Sequence, residues 1–198
     1  PFLIGSNTDW SNLRTYVNSG NDCQGIHFAL SNSFTLTNTS QITGTFNGTI
    51  DGKGESITIT ATTFKGLFAK IGKEGLLKDI SIHVNALIAS GGAIYCGVNL
   101  GTIAYCKTYI ETITASSSSS SSCSGICRNN YGLIYKCEAE MYGGGDMFSG
   151  SGICYYNCSG SVVGCSFKGK LTSNNNGKLA GIVGVNYQGE KYGKDVCG

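Results

Sequence analysis

The segment Gly92-Ala93-Ile94 … Asn99-Leu100-Gly101-Thr102-Ile103 … Cys106 recurs as Ser124-Gly125-Ile126 … Asn130-Tyr131-Gly132-Leu133-Ile134 … Cys137. It returns as Ser151-Gly152-Ile153 … Asn157-Cys158-Ser159-Gly160-Ser161-Val162 … Cys165, and again as Ala180-Gly181-Ile182 … Asn186-Tyr187-Gln188-Gly189. The turn glycines Gly101, Gly132, Gly160 and Gly189 stand 31, 28 and 29 residues apart. A unit of this size, made of short runs between Gly and Asn turns, cannot bury its apolar positions alone. Stacked units bury them against the same positions above and below, which defines a solenoid.

The runs have a period of two, as in Ile26-x-Phe28-x-Leu30, Ile57-x-Ile59 and Ile80-x-Ile82, so the expected class is all-β. Residues 8–20 carry the one helical pattern: Trp10, Leu13 and Val17 fall at i, i+3 and i+7, Thr8 or Asp9 can cap the start, and Gly20 can end it. The expected organisation is one domain over 1–198. It has a tail and capping helix at 1–25, leading coils at 26–90, and four Gly/Asn/Cys repeats at 91–198. Asn99 with Gly101, Asn130 with Gly132, Asn157 with Gly160 and Asn186 with Gly189 mark the repeat turn, where a positive φ is the expected reason for those residue types.

Ten cysteines without paired CxxC motifs suggest an oxidising compartment. Stacked neighbours lie about 4.8 Å apart, within the Cα separation a disulfide tolerates. Cys106, Cys137 and Cys165 form one column and Cys96, Cys127 and Cys154 another, with Cys23, Cys123, Cys158 and Cys197 also available. The expected fold is therefore disulfide-stapled, with no choice of connectivity, and buried free thiols are the alternative. Only His27 and His83 could join these sulfurs and neither is near a CxxxC spacing, so no structural metal is expected.

Charged residues are 13% of the chain and the formal net charge is +2, with no basic cluster, so nucleic acid is not an expected partner. No 18-residue apolar run exists, so membrane insertion is not expected either, and the chain reads as a mature, secreted one. Asn38-Thr39-Ser40, Asn47-Gly48-Thr49 and Asn157-Cys158-Ser159 fit the glycosylation pattern, making Asn38, Asn47 and Asn157 candidate sites. The serine run at 116–122 reads as a solvated loop.

These repeats resemble the GLUG motif, a Gly-rich repeat ending in an Asn-x-Gly turn followed by Ile and then Cys. It occurs in bacterial surface proteins and beside the catalytic part of IgA-cleaving metallopeptidases. Asp9-Trp10 with Leu13 and Val17 looks like that family's helical cap. Phe46-Asn47-Gly48-Thr49-Ile50-Asp51-Gly52-Lys53-Gly54 and Ile57 look like its opening coil, and Gly66-Leu67-Phe68 with Leu77-x-Asp79-Ile80 like the coil that follows. The resemblance implies a right-handed parallel β-helix, an extracellular or cell-surface location, and a role in adhesion or surface architecture. It does not imply proteolysis, since His27 and His83 are outside any His-Glu-x-x-His motif. The last repeat departs from the pattern: Lys194 stands at the column position and Cys197 comes three residues later.

Polysaccharide-active β-helices need clustered carboxylates, and the six Asp and six Glu here are scattered. Asp51 reads as a turn residue, and Glu138 and Glu140 as one solvated strand face. No catalytic residue and no cofactor are expected. Thr35, Thr37, Thr39, Thr58 and Thr60 resemble an ice-binding array, but later coils do not keep it. Tyr131, Tyr155, Tyr156 and Tyr187 can stack on sugars or on each other. Phe2, Leu3 and Ile4 form an apolar tail that either docks on a neighbouring subunit or packs on its own first coil. The expected function is a non-enzymatic extracellular structural protein that self-associates head to tail into a filament. The alternative is an adhesin or glycan-binding module that meets other surface proteins or glycans; an enzyme or an ice-binding protein ranks below both.

Overall fold

A computed structural model describes residues 1–115, 122–146, 148–174 and 177–187. It is an all-β solenoid in which every strand pairing is parallel, with one short helix. Sheet 1 has seven strands, from Phe2–Ile4 through His27–Leu30, Thr49–Asp51, Leu76–Lys78, Thr102–Ala104 and Leu133–Tyr135 to Ser161–Val163, one per turn. Phe2–Ile4 leads into the helix, and from His27–Leu30 onward each turn crosses sheet 2, which begins with Phe34–Leu36 and Ser56–Ile59 and continues in the nine-residue strands Ser81–Ala89, Lys107–Ala115, Glu138–Asp146 and Ser166–Asn174. It returns through sheet 3, whose six strands run from Ile42–Phe46 to Val183–Asn186. A four-stranded sheet 4, from Gly92–Ala93 to Leu179–Ala180, bridges sheets 2 and 3 in the later turns.

The register explains the repeat. Phe2, Phe28, Ile50, Leu77, Ile103, Ile134 and Val162 stack in one inward column of sheet 1. The four from Ile50 to Ile134 are fully buried, each removing apolar surface worth about 2 kcal/mol from water. In sheet 3 two inward columns run Ile42, Phe68, Cys96, Cys127, Cys154, Val183 and Phe46, Ile71, Asn99, Asn130, Asn157, Asn186. The cysteines thus continue an apolar column, and the asparagines begin a polar one where the repeats begin.

The disulfide expectation is overturned for both cysteine columns and for Cys23 and Cys123. Cys23, Cys96, Cys106, Cys123, Cys127, Cys137, Cys154 and Cys165 are free thiols, and no disulfide joins two described residues; Cys197 lies outside them. Both columns stack as expected, with Cys96 Sγ 3.7 Å from Cys127 Sγ and the Cys137 amide 3.4 Å from Cys165 Sγ. In-register parallel neighbours hold their Cα–Cβ bonds side by side, however. The Cβ atoms stay about 4.8 Å apart, wider than the roughly 3.5–4.5 Å a disulfide spans. Stacking therefore stabilises these thiols as apolar groups.

The reason given for the turn residues is also overturned. None of Asn99, Gly101, Asn130, Gly132, Asn157, Gly160 and Asn186 has a positive φ; Gly189 lies outside the described residues. Glycine is required because a Cβ at Gly101 would strike the Gly75 carbonyl, one at Gly132 that of Gly101, and one at Gly160 that of Gly132. The left-handed backbone occurs instead at the corner between sheets 1 and 2, at Asp79, Tyr105, Lys136 and Gly164. Only the last of these is glycine, so this column carries no residue-type signal.

The helix spans Asn7–Asn18 and buries Trp10, Leu13 and Val17 against the first coils. Its N-cap is Ser6, whose hydroxyl accepts from the Asp9 amide at 3.2 Å, while Asp9 accepts from Gly5 N and Ser6 Oγ. Asp9 is thus the reciprocal partner in a capping-box arrangement, and the cap stands at Ser6 rather than at Thr8 or Asp9 as the spacing suggested. Gly20, at φ 102°, follows the C-cap Ser19 as the spacing predicts.

Candidate functional site

Two surfaces distinguish themselves on the solenoid. The first is its N-terminal end. A parallel stack leaves strand edges open there, and the helix closes two of the three faces. Asn7 Oδ1 accepts from the amides of Thr37 and Asn38, past the end of the first strand of sheet 2, and Asn18 Oδ1 accepts from those of Thr43 and Gly44 in the first strand of sheet 3. Among the described residues sheet 1 has no such cap. Its edge is Phe2–Ile4, which pairs with His27–Leu30 of its own chain. The tail therefore packs on its own first coil, with Ile4 buried, yet Phe2 is 67% and Leu3 64% exposed. Phe2 points down the inward column onto Phe28, ring centroids 5.8 Å apart, and nothing described lies above it. Between this strand and the helix runs an apolar groove of about 460 Å³, floored by Leu13, Ile26 and Phe28 and edged by Tyr16, which is itself 46% exposed.

The second surface is the outer face of sheet 2. Outward residues there fall into two register columns, Ser81, Lys107, Glu138, Ser166 and His83, Tyr109, Glu140, Lys168. Lys107 pairs with Glu138 at 3.3 Å and Lys168 with Glu140 at 3.2 Å. The Tyr142 hydroxyl donates to Glu140 at 2.7 Å; this bond first, then Lys168, lowers the Glu140 carboxyl's pKa, and Glu140 in turn raises that of Lys168. The ring of His83 lies 5.9 Å from that of Tyr109.

The remaining sequence candidates divide. Asp51 is a turn residue: Oδ1 accepts from Lys53 N at 3.1 Å, and Oδ2 meets Lys78 at 2.9 Å and Lys53 at 3.1 Å. Thr35 stacks on Thr58, but the column continues as His83, so the threonine array ends after two coils. Asn157 commits its amide to Gly160 O and Asn186 Oδ1, and Asn47 commits its amide to Asp22. Asn38 uses only Oδ1, toward Arg14 and Ser40 N. Tyr156 stacks with Tyr187 at 5.9 Å and meets Tyr155 edge-on at 4.6 Å, so these tyrosines stack on one another. Cys158 sits at its turn with sulfur 3.8 Å from the Tyr156 carbonyl. The serine positions 116–121 and Lys194 lie outside the described residues. Among the described residues no three His, Cys, Asp or Glu are grouped to hold a metal, and no helix is long and apolar enough to cross a membrane.

Sequence reasoning missed the sheet 2 columns. Their signal was present, since His83, Tyr109, Glu140 and Lys168 stand 26, 31 and 28 residues apart, close to the repeat period. Unlike the cysteines they share no residue type, so periodic identity does not reveal them. No protein-family model, curated protein or solved structure matches this chain. The likeness to the GLUG repeat rests on the residues quoted above alone.

Proposed function

We infer that this chain is a non-enzymatic structural module of an extracellular or cell-surface assembly, and that copies of it stack head to tail through the N-terminal edge of sheet 1. The observation that carries the reading is the uncapped column: Phe2 is an inward core residue left 67% exposed at one end. At the other end of the same column Val162 is only partly buried, in the last described strand of sheet 1. Both strands are three residues long and run in the same direction, so a second copy placed on the first continues the parallel sheet and the apolar column together. Such a contact joins different surfaces and generates an open fibre.

The GLUG likeness and the low charge support the surface location, and we take the coil as right-handed, the hand parallel crossovers adopt. The cysteines no longer support an oxidising compartment, because the eight described free thiols need none. The described Asp51, Glu138 and Glu140 carboxylates are engaged by lysines, which supports a non-enzymatic role. Sedimentation velocity and negative-stain microscopy over a hundredfold concentration range test the assembly. Species that lengthen with concentration, and revert to monomer in Phe2→Asp, are expected. A monomer at every concentration overturns the reading.

A further inference from the structure

The outer face of sheet 2 holds a channel that assembly through the ends leaves unused. On a pleated strand, outward residues two apart flank one inward residue, whose backbone forms a trough between them. Here the walls are the columns headed by Ser81 and His83, and the floor is the backbone at Thr108, Ala139 and Phe167. The trough is about 7 Å wide, and four strands at about 4.8 Å spacing make it about 14 Å long. Its volume is about 350 Å³. It runs along the solenoid axis, and among the described residues nothing closes either end. Toward the helix, Ser56 and Thr58 occupy the wall positions, and these short side chains let the walls fall away.

The chemistry of the walls selects the ligand. Two lysines face two glutamates and each is paired across neighbouring coils, so the channel carries no net charge to attract a polyanion or a polycation. What remains is a dense set of hydrogen-bond donors and acceptors from Ser81, Ser166, the ion pairs and the Tyr109 hydroxyl. One wall adds an aromatic patch, where the ring of Tyr109, 38% exposed, lies beside His83. A ribbon-shaped chain of neutral, hydroxyl-rich rings matches this combination: aromatic faces stack on the apolar faces of sugar rings, while hydroxyls exchange hydrogen bonds with paired charges. An open-ended trough with regularly repeated walls accepts a chain passing through it rather than a single sugar.

We propose that this channel binds a neutral, extended β-1,4-linked glycan lying parallel to the solenoid axis, with Tyr109 as its stacking platform. The test is isothermal titration of the full chain with cellohexaose, mannohexaose and xylohexaose, with a galacturonate hexamer and a glucosamine hexamer as charged comparators. At least one neutral hexasaccharide binds and outcompetes both charged ones, and its affinity changes less than twofold between 50 and 500 mM NaCl. Tyr109→Ala weakens it at least tenfold. Lys168→Gln, which removes one positive charge from the wall and leaves Glu140 unpaired, makes binding of the cationic hexamer detectable. Tyr16→Ala, at the helix end, changes nothing. No binding by any neutral hexasaccharide overturns the proposal, as does binding that ignores Tyr109→Ala or prefers a charged comparator. Circular dichroism of each variant confirms that the fold is intact. Failure here leaves the concentration-dependent assembly untouched, since that reads a different surface.

Discussion

The side-chain amide of Asn99 donates to Asn130 Oδ1 at 2.8 Å. The same bond repeats from Asn130 to Asn157 and from Asn157 to Asn186, both at 2.9 Å, so a ladder with one direction runs inside sheet 3. Each Oδ1 accepts from the turn before. Asn99 is the first member and stacks on Ile71, which has nothing to donate, and Asn99 Oδ1 is accordingly buried without a partner. The orphan is a boundary effect of the ladder, where the apolar column of the leading coils meets the polar column of the repeats.

Cutting the ladder in the middle is expected to cost more than trimming its end. Asn130→Ala leaves the buried Asn99 amide with only its longer bond to the Leu133 carbonyl, at 3.4 Å, and removes the donor from half-buried Asn157 Oδ1, a loss of about 1–3 kcal/mol. Asn186→Ala removes an exposed terminal acceptor and is expected to cost less than about 1 kcal/mol. Urea unfolding midpoints of the two variants measure the contrast, and equal losses would mean the ladder contributes nothing cooperative.

Glycine substitutions separate close approach from backbone strain. Gly132→Ala drives a Cβ into the Gly101 carbonyl of the coil before it, so the coils must part; a loss above about 3 kcal/mol is expected. Gly54 has φ +80° and open space around it, so Gly54→Ala carries strain alone, about 1 kcal/mol. Thermal melts of the two proteins give the comparison directly.

The stacking was legible in the sequence because the period-two runs recur in register: Ile103 lies on Ile134 and Cys96 on Cys127, as the repeat spacing requires. The capping helix was legible because Trp10, Leu13 and Val17 share one face. What spacing cannot carry is the direction of a Cβ bond, and that is what separates a stacked thiol pair from a disulfide. Nor does it distinguish a glycine held by a carbonyl above it from one held by its own φ. The sheet 2 channel was hidden for a third reason: its walls are complementary rather than identical from coil to coil, Lys107 beside Glu138 and Glu140 beside Lys168.

The buried thiols are expected to be chemically silent in the folded protein. Burial pushes Cys123 up to about 12 and Cys127 well above the ordinary thiol range, so at pH 8 neither supplies thiolate. Cys165, the last described member of its column, is raised first by its contact with Cys137 and then by burial, but it is the one described free thiol that is partly exposed. A disulfide reagent such as DTNB at pH 8 should therefore react slowly and first at Cys165, and at eight or more thiols per chain once the protein is unfolded in guanidinium. Dithiothreitol should not shift the melting temperature by way of any pair among the eight. A count below eight after unfolding without reductant would restore the stapled fold.

Asp51 provides a signed pH dependence. Partial burial alone would raise its pKa, but the hydrogen bond from Lys78, those from the Lys53 amide and side chain, and the Lys78 charge outweigh it and hold the carboxyl at about 2. The unfolded chain titrates near the ordinary aspartate value of about 3.9. A folded pKa below the unfolded one means that the stabilisation is fully present above about pH 5 and disappears as pH falls through about 2. Because Lys53 is 61% and Lys78 40% exposed, solvent screening reduces the effect to about 1 kcal/mol. Asp9 and Asp22 are also lowered by hydrogen bonds, Asp9 by Ser6 and Asp22 by the Gln24 amide, so acid unfolding of the native chain mixes several groups. The difference between the native chain and Asp51→Asn isolates one of them. Urea midpoints of the two proteins should differ by a constant amount from pH 5 to 7 and converge between pH 4 and 2. A gap that persists unchanged to pH 2 would place the loss in packing rather than in the charge that ties Thr49–Asp51 to Leu76–Lys78.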